Sequence, residues 1–216
     1  MCEALLGDRP PPSSRIAQDA VNLLRRLEAA PATVVGASFG GLVALELALT
    51  EPAVVSHLVL FEAPLHGRKH PTPGLMRAFV ASRLALRMRG EQAAALRFMR
   101  WVSSYRGGGS AIESEAYPAA RREQMAANAP AMLCEQRVDD HHLTIERVAS
   151  LGLPLTCVVG ELSPSWFHTP MRTLAEGVPG ASLRVLEGSG HALGFDRPRE
   201  FADLLAEVID SEPARR

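Results

Sequence analysis

The sequence has almost no lysine and almost no net charge. Lys69 is the single lysine among 216 residues, so arginine carries nearly all of the positive charge, and the formal net charge is −1. The arginines are scattered along helical segments and form no stripe, which leaves no electrostatic footprint for nucleic acid or an anionic membrane surface. We therefore expect neither a nucleic-acid partner nor a membrane partner.

Cysteine is also scarce, with Cys2, Cys134 and Cys157 as its three copies. An odd number without paired spacing predicts neither a disulfide framework nor a zinc site. Cys157 lies in an apolar segment typical of a buried strand. The sequence has no apolar run of membrane-spanning length, and its first residues do not resemble a signal peptide. These absences favour a cytoplasmic protein.

One short run consists of side chains that can bind a metal ion, namely Asp139, Asp140, His141 and His142. Four consecutive residues cannot all point at one ion, so a solvated turn is the better interpretation. We expect no bound metal and no cofactor.

The most informative stretch runs from Thr33 to Leu49 and reads TVVGASFGGLVALELAL. Its apolar start suits a buried parallel strand, and the residues after the glycines are good helix formers. The G-x-S-x-G pentapeptide around Ser38 thus falls between a strand and a helix, the setting of a nucleophile elbow. We expect Gly36 and Gly40 to leave room for the sharp turn. The alternative is a glycine-rich turn with an incidental serine.

In that turn, the backbone N–H of Phe39 would stand at the helix start. There it would face an oxyanion formed on a carbonyl carbon that Ser38 attacks.

Apolar runs elsewhere predict an α/β protein with a parallel sheet of about four recognisable strands. The helix after Ser38 is flanked by two apolar strands, and such a β-α-β unit implies parallel pairing. The predicted strands are 33–35, 57–62, 155–159 and 182–186.

The predicted helices separate a core from an insertion. In the core they cover about 13–30, 42–50, 170–176 and 198–209, and Asp196 is placed to cap the last of them. Residues 64–150 show helical patterns without a buried strand. We therefore assign residues 1–63 and 151–216 to an α/β core, and residues 64–150 to a helical insertion that caps it.

A serine becomes a good nucleophile when a histidine accepts its proton. His191 has the best setting of the seven histidines, because it lies in a glycine-rich loop between the last predicted strand and the last predicted helix. His57 precedes a strand and is expected at the surface, and His168 is expected to open a helix. His66 and His70 flank the start of the insertion.

Together, GASFGG after a strand, GSGHALGFDRPREFADLL near the end and the helical insertion between them resemble the α/β-hydrolase superfamily. The resemblance covers about Ser13 to the C-terminus. It implies the chain order serine, acid, histidine, with Ser38 as nucleophile and His191 as general base and later general acid.

The acid is where the sequence departs from that superfamily. Ser163 occupies the position after a Val-Val-Gly strand end where members usually carry aspartate, and losing that carboxylate costs on the order of 10⁴ in turnover. Glu62 and Glu161 are the two substitutes. We favour Glu62, because it stands at the carboxyl end of a buried strand, where sites in parallel sheets collect.

The resemblance also implies further strands before Ser38, and a loop there that supplies a second oxyanion donor. Neither is recognisable in the sequence. We expect a truncated reading of a longer gene, or a second chain that completes the sheet. The apolar edge of the Thr33–Val35 strand would then lie open and allow homo-oligomers to form.

The resulting functional prediction is a hydrolase that attacks an ester, lactone or similar small acyl substrate through an acyl-Ser38 intermediate. Two alternatives stay open. The same fold could run non-acyl chemistry, such as a cofactor-free haloperoxidase or lyase reaction. The chain could also be a catalytically silent remnant that acts as a binding protein.

Overall fold

The computed structural model describes residues 13–65, 73–115, 117–135 and 143–210. These residues form four strands and ten α-helices, numbered here in chain order. The strands are β1 (Ala32–Ala37), β2 (Val55–Phe61), β3 (Leu155–Gly160) and β4 (Ser182–Leu186). The helices of the sheet layers are α1 (Ser13–Arg26), α2 (Phe39–Thr50), α8 (Ser165–Gly177), α9 (Leu193–Asp196) and α10 (Pro198–Asp210). Between β2 and β3 lie α3 (Pro73–Arg89), α4 (Glu91–Val102), α5 (Ala119–Ala127), α6 (Ala129–Glu135) and α7 (Ile145–Ala149).

The strands form one parallel sheet in the order β1-β2-β3-β4. All six residues of β3 are buried, and so are six of the seven in β2. Continuous apolar runs are typical of parallel strands covered on both faces. The predicted α/β class with a parallel sheet is confirmed.

Apolar side chains on the two faces of the sheet form separate clusters. On one face, Leu58 of β2 and Cys157 of β3 pack with Leu45 of α2 and Met171 of α8. On the other face, Val59 and Phe61 of β2 pack with Val158 of β3 and Val208 of α10. Alternate residues of β2 thus point to opposite layers, as strand geometry requires, and the predicted burial of Cys157 is confirmed.

The described residues between β2 and β3 are helical apart from turns and one antiparallel bridge between Ser104 and Ser110. The first two of these helices, α3 and α4, are separated at Gly90, which has φ +85°. Phe79 of α3 stacks on Phe98 of α4 with ring centroids 5.8 Å apart. None of the described helices is both long and apolar enough to cross a bilayer.

Three local predictions differ from the structure. The first helix ends at Arg26, before the predicted Ala30. The helix α8 begins at Ser165, so Pro170 lies inside it and gives up one intrahelical hydrogen bond. The prediction that His57 faces the surface is wrong, because β2 begins at Val55. The His57 ring is buried, and its Nε2 lies 2.9 Å from Thr156 Oγ1.

Candidate active site

Ser38 forms the whole connection between β1 and α2. Its backbone has φ 50° and ψ −125°, a conformation that costs an L-residue about 1–3 kcal/mol. Its N–H donates to the carbonyl of Phe61 at 2.8 Å, and its own carbonyl accepts from the N–H of Gly41 at 2.8 Å. These two bonds hold the strained turn at the carboxyl end of the sheet.

Two glycines make room for this turn, and the sequence predicted one of them, Gly36. A Cβ at Gly36 would lie 2.5 Å from the carbonyl oxygen of Gly40, and one at Gly41 would lie 2.6 Å from the Cβ of Ala63. A Cβ at Gly40 would meet no atom within 4 Å. The close approach of helix to strand therefore requires Gly36 and Gly41, and the expectation for Gly40 is wrong.

Phe39 is the first residue of α2. The first N–H groups of a helix have no partner within the helix, and the helix dipole makes this end positive. The N–H of Phe39 therefore lies at the positive end of α2, directly after Ser38.

Glu62 and His191 are in direct contact, although 129 positions separate them in the chain. Glu62 Oε2 lies 2.5 Å from His191 Nδ1. The other carboxylate oxygen accepts the N–H of Gly160 at 2.8 Å. Glu62 is fully buried, and its backbone adopts φ +46° directly after β2. A carboxylate bonded through both oxygens in this way is fixed in position.

The contact with Glu62 also sets the roles of the two nitrogens of His191. Because an ionised carboxylate only accepts hydrogen bonds, we assign the proton of the neutral ring to Nδ1 and leave Nε2 as the acceptor. The ring stacks on Phe167 of α8, with centroids 4.2 Å apart and planes 8° apart. The side chain is 8% exposed. His191 is therefore oriented by one bond and one ring contact.

The loop that carries His191 is held by Asp196, a role that the sequence did not reveal. Asp196 Oδ2 accepts the N–H of Gly190 at 2.8 Å, and Oδ1 accepts the hydroxyl of Tyr105 at 2.8 Å. Asp196 ends the short helix α9, so its carboxylate binds this loop and does not cap α10 as predicted.

Tyr105 brings the helical segment between β2 and β3 into contact with the same loop. A Cβ at Gly190 would lie 2.7 Å from the Tyr105 ring. Burial raises the pKa of Tyr105 well above its ordinary value, and its hydrogen bond to Asp196 and the charge of that carboxylate raise it further. The hydroxyl therefore stays protonated and remains a donor.

The residues at the usual acid position do not contact His191. Ser163 is fully buried, and its Oγ has no hydrogen-bond partner within the described part of the chain. Glu161 is exposed, and its Oε2 accepts the N–H of Gly188 at 2.8 Å. Of the two carboxylates that the sequence offered, Glu62 is the one that meets the histidine.

The other histidines stand apart from this cluster. His168 lies inside α8 and its Nε2 is 3.0 Å from Arg106 Nη2. His66, His70 and the Asp139–His142 run lie outside the described residues. Within the ranges that are described, no three histidine, cysteine, aspartate or glutamate side chains come together as a metal site would require.

A family of known proteins matches nearly the whole sequence. The sequence model of the alpha/beta hydrolase family covers residues 4–204.

Solved structures share the fold at low sequence identity. A carboxylesterase structure from the ammonia-oxidizing thaumarchaeon Nitrososphaera gargenis has a TM-score of 0.70 at 18% identity, with 93% of this chain and 72% of that chain covered. Est816, described as an N-acyl homoserine lactone degrading enzyme, has a TM-score of 0.67 at 22% identity, with 92% and 75% covered. A bromoperoxidase from Bacillus anthracis has a TM-score of 0.72 at 17% identity, with 93% and 75% covered. These similarities establish the fold, and the reaction has to be inferred from the residues of the site.

Proposed function

The chain belongs to the alpha/beta hydrolase family, and from that premise we propose that it is a serine hydrolase that cleaves an ester or a similar acyl bond. The observation that carries this proposal is the contact between the buried Glu62 carboxylate and His191 Nδ1. A base held in this tautomer presents Nε2 to a serine, and Ser38 stands at the same edge of the sheet in a strained turn. In this scheme the turn is a nucleophile elbow.

The first half of the reaction acylates the enzyme. His191 Nε2 accepts the proton of the Ser38 hydroxyl while Oγ forms a bond to the carbonyl carbon of the substrate. The carbonyl oxygen becomes an oxyanion and accepts a hydrogen bond from the N–H of Phe39. The Glu62 carboxylate stabilises the positive charge that develops on the imidazole.

The second half releases the products. When the tetrahedral intermediate collapses, the bond to the leaving oxygen breaks, and His191 donates its proton to that oxygen. Water then loses a proton to His191 and forms a bond to the acyl carbon. As this second intermediate collapses, the bond to Ser38 Oγ breaks, His191 returns its proton to Oγ, and the acid is released. Every proton in the scheme passes through His191, and no cofactor is required.

The helical segment 64–150 would act as a lid in this scheme. Its Tyr105 contacts the His191 loop through Asp196, and its Trp101 stacks on Trp166, the neighbour of Phe167. A lid that contacts the loop carrying the base in this way would line the substrate pocket and set specificity.

The similar structures support acyl chemistry and also supply a rival. Carboxylesterases and a lactone-degrading enzyme share the fold, and so does a bromoperoxidase. Non-acyl chemistry therefore remains the second candidate. A catalytically silent protein is the third, because Ser163 stands where an acid is usual.

A fluorophosphonate probe tests the proposal, because it labels only a serine that a base has activated. We expect the wild-type protein to be labelled and the Ser38→Ala variant to lose all labelling. Ser150→Ala is the matched control, since Ser150 is exposed and its hydroxyl donates only to the nearby carbonyl of Arg147. Folded wild-type protein that takes no label would reject the serine hydrolase. Labelled protein that turns over no ester would favour non-acyl chemistry.

A further inference from the structure

A cavity of about 650 Å³ lies beside α3 and α4, away from Ser38 and His191. Its volume falls within the range of pockets that enclose small organic ligands, about 300–1,000 Å³. Three arginines line it together with apolar residues, and Glu113 is the one carboxylate among the described lining residues. The lining includes Arg77, Arg97, Arg100, Glu113, Trp101 and Ala78.

The charges in this cavity do not balance. Arg100 Nε lies 3.0 Å from Glu113 Oε1, so this pair is neutral overall. No carboxylate among the described residues comes within salt-bridge distance of Arg77 or Arg97. Arg77 and Arg97 therefore give the cavity lining an excess of positive charge. A guanidinium group can bind a carboxylate or phosphate through two parallel N–H bonds.

The apolar wall of the cavity leads toward the proposed catalytic histidine. Trp101 stacks on Trp166 with centroids 5.0 Å apart and planes 13° apart. Trp166 contacts Phe167 at 6.4 Å, and Phe167 stacks on His191 at 4.2 Å. A ligand bound between the arginines and Trp101 would thus have an anionic end in the cavity and an apolar body against the aromatic row.

We propose that this cavity binds the carboxylate or phosphate end of an organic molecule with an apolar body. The inference rests on the proposed function for its second part, that this molecule is the substrate. The substrate class is then an acyl compound with a negative charge remote from the bond that is cleaved. Arg77 and Arg97 are its specificity-determining residues.

Binding can be tested without catalysis by using the Ser38→Ala variant and tryptophan fluorescence. Trp101 and Trp166 are the two tryptophans of the sequence, and they stack on each other at the cavity wall. We expect a saturable change with hexanoate or hexyl phosphate and none with the neutral hexanamide. Adding Arg77→Gln and Arg97→Gln should weaken binding of the preferred anion about tenfold, since both arginines are solvent-exposed and their bonds are partly screened.

Arg83→Gln is the matched control, because Arg83 lies on the same helix α3, is exposed and does not line the cavity. This variant should bind the anion as the parent does. Three results would each overturn the inference: no saturable change with either anion, equal binding of hexanamide, or undiminished binding after both arginines are replaced.

A pair of esters tests the substrate class separately. In the otherwise wild-type enzyme, Arg77→Gln with Arg97→Gln should lower kcat/KM about tenfold for mono-(4-nitrophenyl) sebacate, whose long chain separates the carboxylate from the ester, and leave the neutral 4-nitrophenyl decanoate unchanged. Equal losses for both esters would reject the cavity as a substrate site. If neither ester is hydrolysed while hexanoate or hexyl phosphate still binds, the esterase proposal fails and the anion site stands.

Discussion

The strand that leads to Ser38 and the strand that leads to Glu62 are neighbours, yet they are buried to very different degrees. Val35 of β1 and Val59 of β2 are paired in the ladder, and Val35 is 42% exposed while Val59 is 0% exposed. Within the described residues β1 pairs with β2 alone, whereas β2 lies between β1 and β3. The proposed acid therefore follows a strand inside the core, whereas the proposed nucleophile follows a half-exposed strand and is tied to β2 by the bond from its N–H to Phe61.

This difference explains how a buried carboxylate can be stabilised at the end of β2. The carboxylate of Glu62 accepts the N–H of Gly160, the last residue of β3, so two central strands fix it in place. A fully buried carboxylate is stable only when its lone pairs are satisfied. The interior supplies these partners at Glu62, and it supplies none to the Ser163 hydroxyl within the described structure.

The test with the largest expected effect removes the charge of Glu62. We expect Glu62→Gln to lower kcat for an ester by about 10⁴-fold, because the amide can still accept the N–H of Gly160 but no longer stabilises the imidazolium. Stopped or continuous assays with a 4-nitrophenyl ester measure the loss. Circular dichroism would show that the fold is retained.

Ser163→Ala is the matched control at the usual acid position. Its hydroxyl is buried without a partner, so removal should leave turnover nearly unchanged and should not lower stability. A loss of turnover comparable to that of Glu62→Gln would show that the segment after β3, and not Glu62 alone, supports the catalytic histidine.

The second test compares the two strands directly through one chemical change. Val59→Ala should lower the free energy of unfolding by about 2 kcal/mol, because it removes buried apolar groups and leaves a cavity. Val35→Ala in β1 should cost less than about 1 kcal/mol, since its side chain is already partly hydrated. Urea unfolding measures both values. Equal losses would show that β1 is as well packed in solution as β2.

The sequence predicts much of this architecture for physical reasons. Continuous apolar runs marked β2 and β3, and G-x-S-x-G between a strand and a helix marked Ser38. The chain order of the superfamily and the position of Glu62 at a strand end led to the pair that the structure brings together. The catalytic roles of these residues, the limits of the lid, and association through the β1 edge remain predictions.

Other features depend on contacts that no local pattern records. His57 is buried because Thr156, on the next strand, offers its ring a partner. The bond between Tyr105 and Asp196 joins segments that are 91 positions apart. Phe167 supports His191 only because α8 begins earlier than Pro170 suggested. In each case the deciding information is tertiary.

The third test concerns the support of His191, which comes from Tyr105 in the segment between β2 and β3 as well as from the sheet. Tyr105→Phe removes the donor to Asp196 and leaves the bond from Gly190, so we expect kcat to fall about tenfold with little change in KM. Tyr117→Phe is the matched control, because the Tyr117 ring contacts Phe195 and no hydrogen bond of its hydroxyl is found among the described residues. Equal effects of the two variants would show that Tyr105 does not position His191 through its hydroxyl.

The smallest expected effect is a shift in the titration of Tyr105. In Tyr117→Phe it is the one remaining tyrosine, so the absorbance at 295 nm follows the ionisation of Tyr105 alone. The midpoint of this titration should lie above the ordinary pKa of 10.0, because burial and Asp196 both disfavour the phenolate. A folded pKa above the unfolded one stabilises the protein below pH 10, and this contribution is lost as the pH rises toward the folded value. The stability gap between Tyr117→Phe and its Tyr105→Phe double variant should therefore be constant below pH 10 and shrink above it. An ordinary titration near pH 10 in the folded protein would mean that Tyr105 does not hold the His191 loop through its bond to Asp196.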